Sequence, residues 1–556
     1  MADRKKNNGF IVQGSILAVA AILVRIIGLI YRIPMRNIIG DEGMGYYSYA
    51  YEPYSVMLML SYHGIPAAVS KLVAANKALG KYRTVKKIFW SALSITITIG
   101  CITGSIMFFG AGFLSSEIIG IPMAKWAMMV LGPTLFVLSM MGVLRGFFQG
   151  LGTTIPTAIS QIFEQIVNAV VSIIAALHLF NYGAMYDSVV GTESHAEAYG
   201  AAGGTMGTFL GATVALLFLF FVFKLYSRQL AKLVRKDRGG LATESMPKIM
   251  GLIAATAVPL IFNSILFNCN TTVESIVFNK LMIKDGMVKD EISTLWGVFT
   301  GQYKVLVTVP ISVATALAVS IIPDFAKELV KGNIKTLRMK LNKAVRFGML
   351  IAIPSAVGLS VLAEPILELI FPNSGAVSVN LMRFGTVAVV LYSLSTITTA
   401  ALQGINRETF TVFSAGMALV THLLVLAVCV GALDMGIYGV MVSYIAFALI
   451  VCMFNSFALM RLLKYRQEYF KTFVIPIISA VIMAFVVIGL HKLVISNVPE
   501  ATMLMRSLAC AIAVIGGVLV YAIALLIFRG IDENDVRSLP KGDKLVRLFK
   551  ALRLLP

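Results

Sequence analysis

Long apolar stretches alternate with short charged ones along the whole chain. Each stretch matches or exceeds the ~20 residues an α-helix needs to cross a bilayer. Breakers and charges punctuate them, which predicts about fourteen transmembrane helices in an all-α polytopic membrane protein. Their approximate limits are 10–36, 45–72, 88–114, 121–146, 154–180, 198–225, 249–282, 294–325, 343–371, 379–403, 409–432, 436–462, 472–495 and 503–528.

The polar connections alternate in charge. One set carries Lys71, Lys77, Lys81, Arg83, Lys86 and Lys87, then Arg228, Lys232, Arg235, Lys236 and Arg238, and later Lys327 to Arg346 and Arg461 to Lys471. The opposite set is almost free of Lys and Arg: the loop 181–199 has neither but holds Asp187, Glu193 and Glu197. The positive-inside rule then places both termini in the cytoplasm, as an even number of crossings requires. Arg228, Lys232, Arg235 and Lys236 against Leu230, Leu233 and Val234 suggest a short helix on the membrane surface. The tail repeats that pattern, with Leu545, Leu548, Phe549 and Leu552 opposed to Lys544, Arg547, Lys550 and Arg553.

Short matches recur in one order. Ile65-Pro66 returns as Ile322-Pro323, Gln149-Gly150 as Gln403-Gly404, and Tyr199-Gly200 as Tyr438-Gly439. The offset is about six helices, so the pattern predicts two parallel six-helix lobes. The expected organisation is a lobe at 1–226, a basic connector at 227–247, a second lobe at 248–464, two further helices at 465–529 and a cytoplasmic tail at 530–556. Such an arrangement would enclose a cavity and permit alternating access by rocking.

Composition agrees with the membrane reading: of 556 residues, 58% are hydrophobic and 13% charged, about half the charge of a soluble chain. The net charge of +20 lies in the short loops, so it is a topology signal and not a nucleic-acid footprint. The first apolar segment follows Arg4, Lys5 and Lys6 and is too long for a signal-peptide core, which predicts a retained helix. Five scattered cysteines show no metal-ligand or disulfide spacing. No P-loop, HExxH or GxSxG motif occurs, so neither an enzyme nor a bound cofactor is expected. Gly200-Ala201-Ala202-Gly203-Gly204 marks close helix packing.

Ionisable residues inside the spans are the candidates for function. At about 100° per residue, Arg25, Arg32 and Arg36 share a stripe of the first helix roughly 40° wide. Arg25 lies ~21 Å into the segment, past the middle of a ~30 Å hydrocarbon core, where an arginine needs a water-filled interior to face. Arg32 and Arg36 are nearer the outer headgroups, within reach of snorkelling. Glu52 and His63 follow in the second span; Glu52 could balance an arginine, and His63 could respond to pH. The fifth span groups Gln161, Glu164, Gln165 and Asn168 on one side, where Glu164 suits proton or cation coupling or pairing with Arg25. Asn263, Asn268, Asn270 and Glu274 lie in the seventh span, and Lys304 in the eighth, at a depth like that of Arg25 and Arg32. Glu364, Glu368 and Arg383 read as residues of an external rim.

A cavity rich in Arg and Lys favours an anion, and the arginine fork suits phosphate. A lipid-linked molecule with a pyrophosphate head, a sugar portion and a tail left in the bilayer would fit such a cavity.

The arginine-bearing first helix, Gly-Ile-Pro-Ala-Ala-Val-Ser-Lys at 64–71 and Thr-Ala-Leu-Ala-Val-Ser-Ile-Ile-Pro-Asp at 315–324 resemble the polysaccharide-biosynthesis branch of the multidrug/oligosaccharidyl-lipid/polysaccharide exporter superfamily. Within that branch the chain is similar to the stage V sporulation protein B group and the lipid II flippases. The resemblance covers essentially the whole chain. It implies fourteen helices in two lobes plus a terminal pair. It also implies translocation of an undecaprenyl-pyrophosphate-linked saccharide, lipid II or a related precursor, to the outer leaflet of a bacterial plasma membrane. On that resemblance Arg25 matches the first cavity arginine and Arg32 approximately the second. Ser61-Tyr62-His63 stands where the family has a second-helix arginine, and Tyr303-Lys304 where it has an Asp-Arg pair. Thr421 and His422 are the polar residues nearest the family's sodium-binding carboxylate, so the coupling cation, Na+ or H+, stays open. The expected site is therefore Arg25, Arg32, Arg36, Glu52 and Lys304 for substrate, with Glu164, Asn168, Glu274 and His63 as coupling or cavity groups. Expected partners are the lipid-linked saccharide, membrane lipids and cell-wall synthases, with no nucleic acid. Two other functions are kept: a cation-coupled multidrug exporter of the same superfamily, and a non-transporting scaffold for cell-wall or spore-cortex synthesis.

Overall fold

Backbone amides in hydrocarbon must find partners within their own segment, and only a helix provides them locally. The computed structural model describes residues 20, 23–28, 30–62, 64–191, 195–235, 237, 245–330, 332–496 and 503–530, and no strand occurs among them. Eleven helices among the described residues are long and apolar enough to cross a membrane, in a multi-pass protein. His63 and the amphipathic tail lie outside the described residues, as do Glu193, Lys236 and Arg238.

The chain packs as two units, 1–301 and 302–556. The first unit contains α1 (Arg32–Ser61), α2 (Ile65–Ala78), α3 (Tyr82–Phe109), α4 (Lys125–Gly150), α5 (Ile155–Val190), α6 (His195–Arg235), α7 (Met246–Lys284) and α8 (Lys289–Gly297). The second contains α9 (Lys304–Val330), α10 (Ile334–Val361), α11 (Ala363–Ile370), α12 (Ala376–Gly385), α13 (Val387–Gly404), α14 (Glu408–Gly431), α15 (Ile437–Leu463), α16 (Ile475–Ser496) and α17 (Met503–Ile527).

The first two expected spans meet inside α1 without a loop. Helical residues continue on both sides of Gly40, whose φ of 71° and ψ of −176° break the helix at one residue. That left-handed φ is cheap only for glycine.

Two expectations about the connections are corrected. The loop 181–199 is mostly helix, because α5 continues to Val190 and α6 begins at His195. Asp187 holds this hairpin: its carboxylate accepts from the Ala196 backbone amide at 2.9 Å and lies 2.9 Å from His195 Nδ1. The basic stretch from Arg228 to Arg235 is likewise the end of α6 and not a separate surface helix. No Gly or Pro interrupts it, and Gln, Leu, Ala, Lys and Arg all favour continuation.

Glycines set the helix spacing. Gly203, Gly207 and Gly211 form one stripe of α6, and a β-carbon there would overlap Ala175, Ser172 and Glu164 of α5. Gly200 and Gly204 face the other way, toward Ile39 and toward Met35 and Tyr47. The small-residue run thus brings both neighbours close, as expected from its composition.

The repeated residues also pack on one another within each unit. Gly146 and Gly150 of α4 lie against Pro66, Ser70 and Val73 of α2, and Gly404 of α13 against Ile322 and Phe325 of α9.

Candidate functional site

The polar interior of the first unit begins at the Gly40 break. Arg36 is buried, and its guanidinium donates to both Asp41 carboxylate oxygens, from Nε at 2.8 Å and Nη2 at 2.7 Å. This two-pronged pair spans the break and neutralises the Arg36 charge. Just beyond, Tyr46 donates to Glu42 at 2.6 Å and Asp290 at 2.9 Å. Gly45 and Gly297 let α8 lie directly on this part of α1, each glycine meeting a backbone carbonyl of the other helix.

One turn earlier, Arg32 is half-buried, and among the described residues the phenols of Tyr31, Tyr47 and Tyr51 act on it. The Tyr31 and Tyr47 hydroxyls are 3.2 Å apart, and the Tyr47 and Tyr51 rings sit 4.6 Å apart. Tyr51 shares a hydrogen bond with Thr208 of α6. The polar line continues through Asn168 Oδ1, 3.5 Å from Thr208 and 3.0 Å from Ser172, whose hydroxyl also donates to the Gly204 carbonyl at 2.7 Å. Neutral phenols solvate a guanidinium without cancelling its charge. Among the described residues no salt bridge reaches Arg32.

A second buried cation, Arg145 of α4, escaped the sequence reading. It donates to Glu164 at 2.7 Å, to Tyr62 at 3.1 Å and to Ser160 at 3.1 Å. The partner of Glu164 is thus Arg145 and not Arg25. The α4 helix runs on to Gly150, so Arg145 is inside the helix, where the shorter expected span had left it at the end. Its signal was a cation one turn within an apolar run beside Gly146.

Glu52 packs against α7. Thr272 donates both to its backbone carbonyl at 3.1 Å and to its carboxylate at 3.2 Å. On the same side of α1, Tyr49 donates to Asn279 at 2.5 Å, and Asn279 donates to the Ile119 carbonyl at 3.1 Å. Glu274 is fully buried in this region, and Asn270 is nearly so. Arg25 lies on an exposed helix face.

The second unit carries Lys304, half-buried, with its ammonium 4.9 Å from the Tyr444 ring centroid. Tyr444 in turn stacks on Tyr392 at 4.4 Å. Beside it Tyr303 donates to the Gly385 carbonyl at 2.7 Å, and Gln302 accepts from Ser378 at 2.7 Å and Ser374 at 3.1 Å. The side chain at 303 is therefore structural, and the cation at 304 lies over the Tyr444 ring. His422 is buried with Nδ1 2.8 Å from the Ser443 carbonyl. Arg383 pairs with Glu364 at 3.2 Å and Arg506 with Glu368 at 3.0 Å, all exposed, as suits rim residues. Among the described residues no cluster of metal-binding side chains occurs.

Comparison with known proteins agrees with this architecture. The profile described as polysaccharide biosynthesis protein matches residues 11–328, and that of the lipid II flippase MurJ matches residues 302–410. The lipid II flippase MurJ of Bacillus subtilis (strain 168) is 28% identical over 73% of this chain and 75% of its own length. The stage V sporulation protein B of the same organism is 23% identical over 96% of this chain and 98% of its own. Among solved structures, a lipid II flippase MurJ in an inward closed conformation superposes with a TM-score of 0.62 at 16% identity, covering 92% of this chain and 98% of that one. An inward-facing multidrug resistance MATE transporter of the MOP superfamily follows at 0.60 and 14%, covering 80% and 99%. The activities named among these relatives are transport, not catalysis. With that match over more than half its length, the chain belongs to the polysaccharide biosynthesis protein family.

Proposed function

We propose that this protein is a flippase for a lipid-linked saccharide precursor, with an undecaprenyl-pyrophosphate carrier, working by alternating access in the bacterial plasma membrane with both termini cytoplasmic. The observation that carries the reading is the state of Arg32. Arg36 and Arg145 are neutralised by Asp41 and Glu164, whereas among the described residues the side chains acting on the Arg32 charge are the phenols of Tyr31, Tyr47 and Tyr51, with no carboxylate. A cation in that state gains most from an anionic ligand that supplies the missing charge. Arg25 is the other cation of the first unit assigned to the pyrophosphate. Tyr51, at the edge of the Arg32 cluster, offers a ring and a hydroxyl suited to the saccharide.

Relatives named as lipid II flippases support the lipid-linked class of substrate. The multidrug-exporter reading would use a carboxylate to hold a cationic drug. Glu164 is engaged by Arg145 and Glu52 by Thr272, which weighs against it.

The test is a strain depleted of its own flippases, in which exposure of lipid II at the outer surface is measured with this protein supplied. Arg32→Ala is expected to lower exposure at least about tenfold, the loss of one charge-assisted contact, with Arg32→Lys retaining part of it. Normal exposure with Arg32→Ala would overturn the arginine role. No exposure with the intact, membrane-inserted protein would overturn lipid II as the substrate.

A further inference from the structure

A second basic feature lies apart from the Arg32 cluster, in the first unit. The start of α3, the end of α6 and the start of α7 form an open pocket of about 370 Å³ lined by Arg83, Lys86, Lys87, Trp90, Val234 and Met246. The i, i+3, i+4 spacing places Arg83, Lys86 and Lys87 on one face of the first turns of α3. Trp90, one turn deeper, is 47% exposed, and Met246 is 44% exposed.

The floor is rigid. Phe89 is buried, stacks on Phe223 of α6 at 4.3 Å and meets Trp90 edge-on at 5.4 Å. Across the rim, the Asp237 carboxylate accepts from the Arg83 backbone amide at 2.8 Å, tying the chain after α6 to the start of α3. The pocket thus has three cations at its mouth and an aromatic and aliphatic wall facing deeper into the span.

We propose that this pocket binds the headgroup of an anionic phospholipid of the same leaflet, with one or two phosphodiesters against Arg83, Lys86 and Lys87 and the glycerol and first acyl carbons against Trp90, Val234 and Met246. Basic pockets between transmembrane helices on the cytoplasmic side take such headgroups, and an exposed tryptophan at a helix start marks the interface depth at which the phosphate lies. The apolar wall distinguishes this site from one for a soluble phosphate, which would have no use for exposed Trp90 and Met246.

Native mass spectrometry of the full chain, titrated with phosphatidylglycerol or phosphatidylcholine, tests the site. One phosphatidylglycerol is expected to be retained in preference to phosphatidylcholine. Arg83→Gln/Lys86→Gln/Lys87→Gln is expected to weaken that retention by one to two orders of magnitude, at roughly tenfold or less per cation. A control removing equal charge elsewhere, Lys335→Gln/Lys343→Gln/Arg466→Gln, is expected to leave it unchanged, and Lys86→Arg/Lys87→Arg to preserve it. Equal loss in both triple variants would overturn the pocket in favour of diffuse charge. So would equal retention of the two lipids, or displacement of phosphatidylglycerol by inorganic phosphate at matched concentration.

Discussion

At the scale of single residues, the interior cations fall into two physical states. Arg145 is nearly fully buried and bound to Glu164, Tyr62 and Ser160, whereas the side chain of Glu164 keeps 24% of its surface exposed. Removing one member of a buried pair strands the other charge and costs about 3–5 kcal/mol, and the partial exposure of Glu164 reduces that to about 2–4 kcal/mol. Glu164→Gln should therefore lower the unfolding free energy in detergent by that amount. The double variant Arg145→Met/Glu164→Gln should recover most of it, because no charge is left without a partner. Equal destabilisation by the double variant would show that Arg145 acts through its other hydrogen bonds. The same contrast explains what could be read from the chain beforehand. The Arg25, Arg32 and Arg36 stripe is visible because helical period alone aligns it. The pairing of Arg145 with Glu164 joins two helices across 19 positions, and no local pattern encodes it. Nor does residue type reveal that Asp41, five residues past the end of the expected first span, would claim Arg36.

At the scale of elements, glycine does the positional work. The stripe Gly203, Gly207 and Gly211 seats α6 on α5, and a methyl group at Gly207 would overlap the Ser172 hydroxyl and the Asn168 carbonyl. That hydroxyl also holds Asn168, the end of the polar line from Arg32, so helix spacing and site geometry are coupled here. Gly207→Ala should cost about 1–3 kcal/mol through overpacking. Gly416→Ala in α14 meets nothing within 4 Å and should gain up to about 1 kcal/mol from helix propensity. Thermal unfolding of the two variants in the same detergent separates them. If both moved in the same direction, close approach of α5 and α6 would not be what Gly207 provides. Hydropathy located these helices well because burial in lipid makes apolar length decisive. It missed the extensions of α5 and α6 beyond the bilayer, where Asp187 and the uninterrupted 228–235 segment keep the helix going in polar surroundings.

At the scale of the molecule, orientation rests on charge and parity. Lys81 precedes α3, and Val189 is at the end of α5, so three spanning helices (α3, α4 and α5) separate them and they must lie on opposite faces. The basic residues Lys77, Lys81, Lys86 and Lys87 cluster with the first position, whereas Asp187 and Glu197 flank the second. The positive-inside bias then predicts that Lys81 is cytoplasmic and Val189 external. Both sites are exposed, Val189 at 81%, and among the described residues Cys429, Cys452 and Cys510 are buried. Cys101 is exposed within the apolar α3, a segment that a water-soluble reagent does not enter. A membrane-impermeant maleimide added to intact cells should label Val189→Cys and leave Lys81→Cys unlabelled until the membrane is permeabilised. The reverse pattern would invert the protein. Labelling of both from outside would break the parity of three crossings. Because the phospholipid pocket sits beside Lys81, at Arg83, Lys86 and Lys87, the same labelling pattern decides which leaflet supplies its lipid.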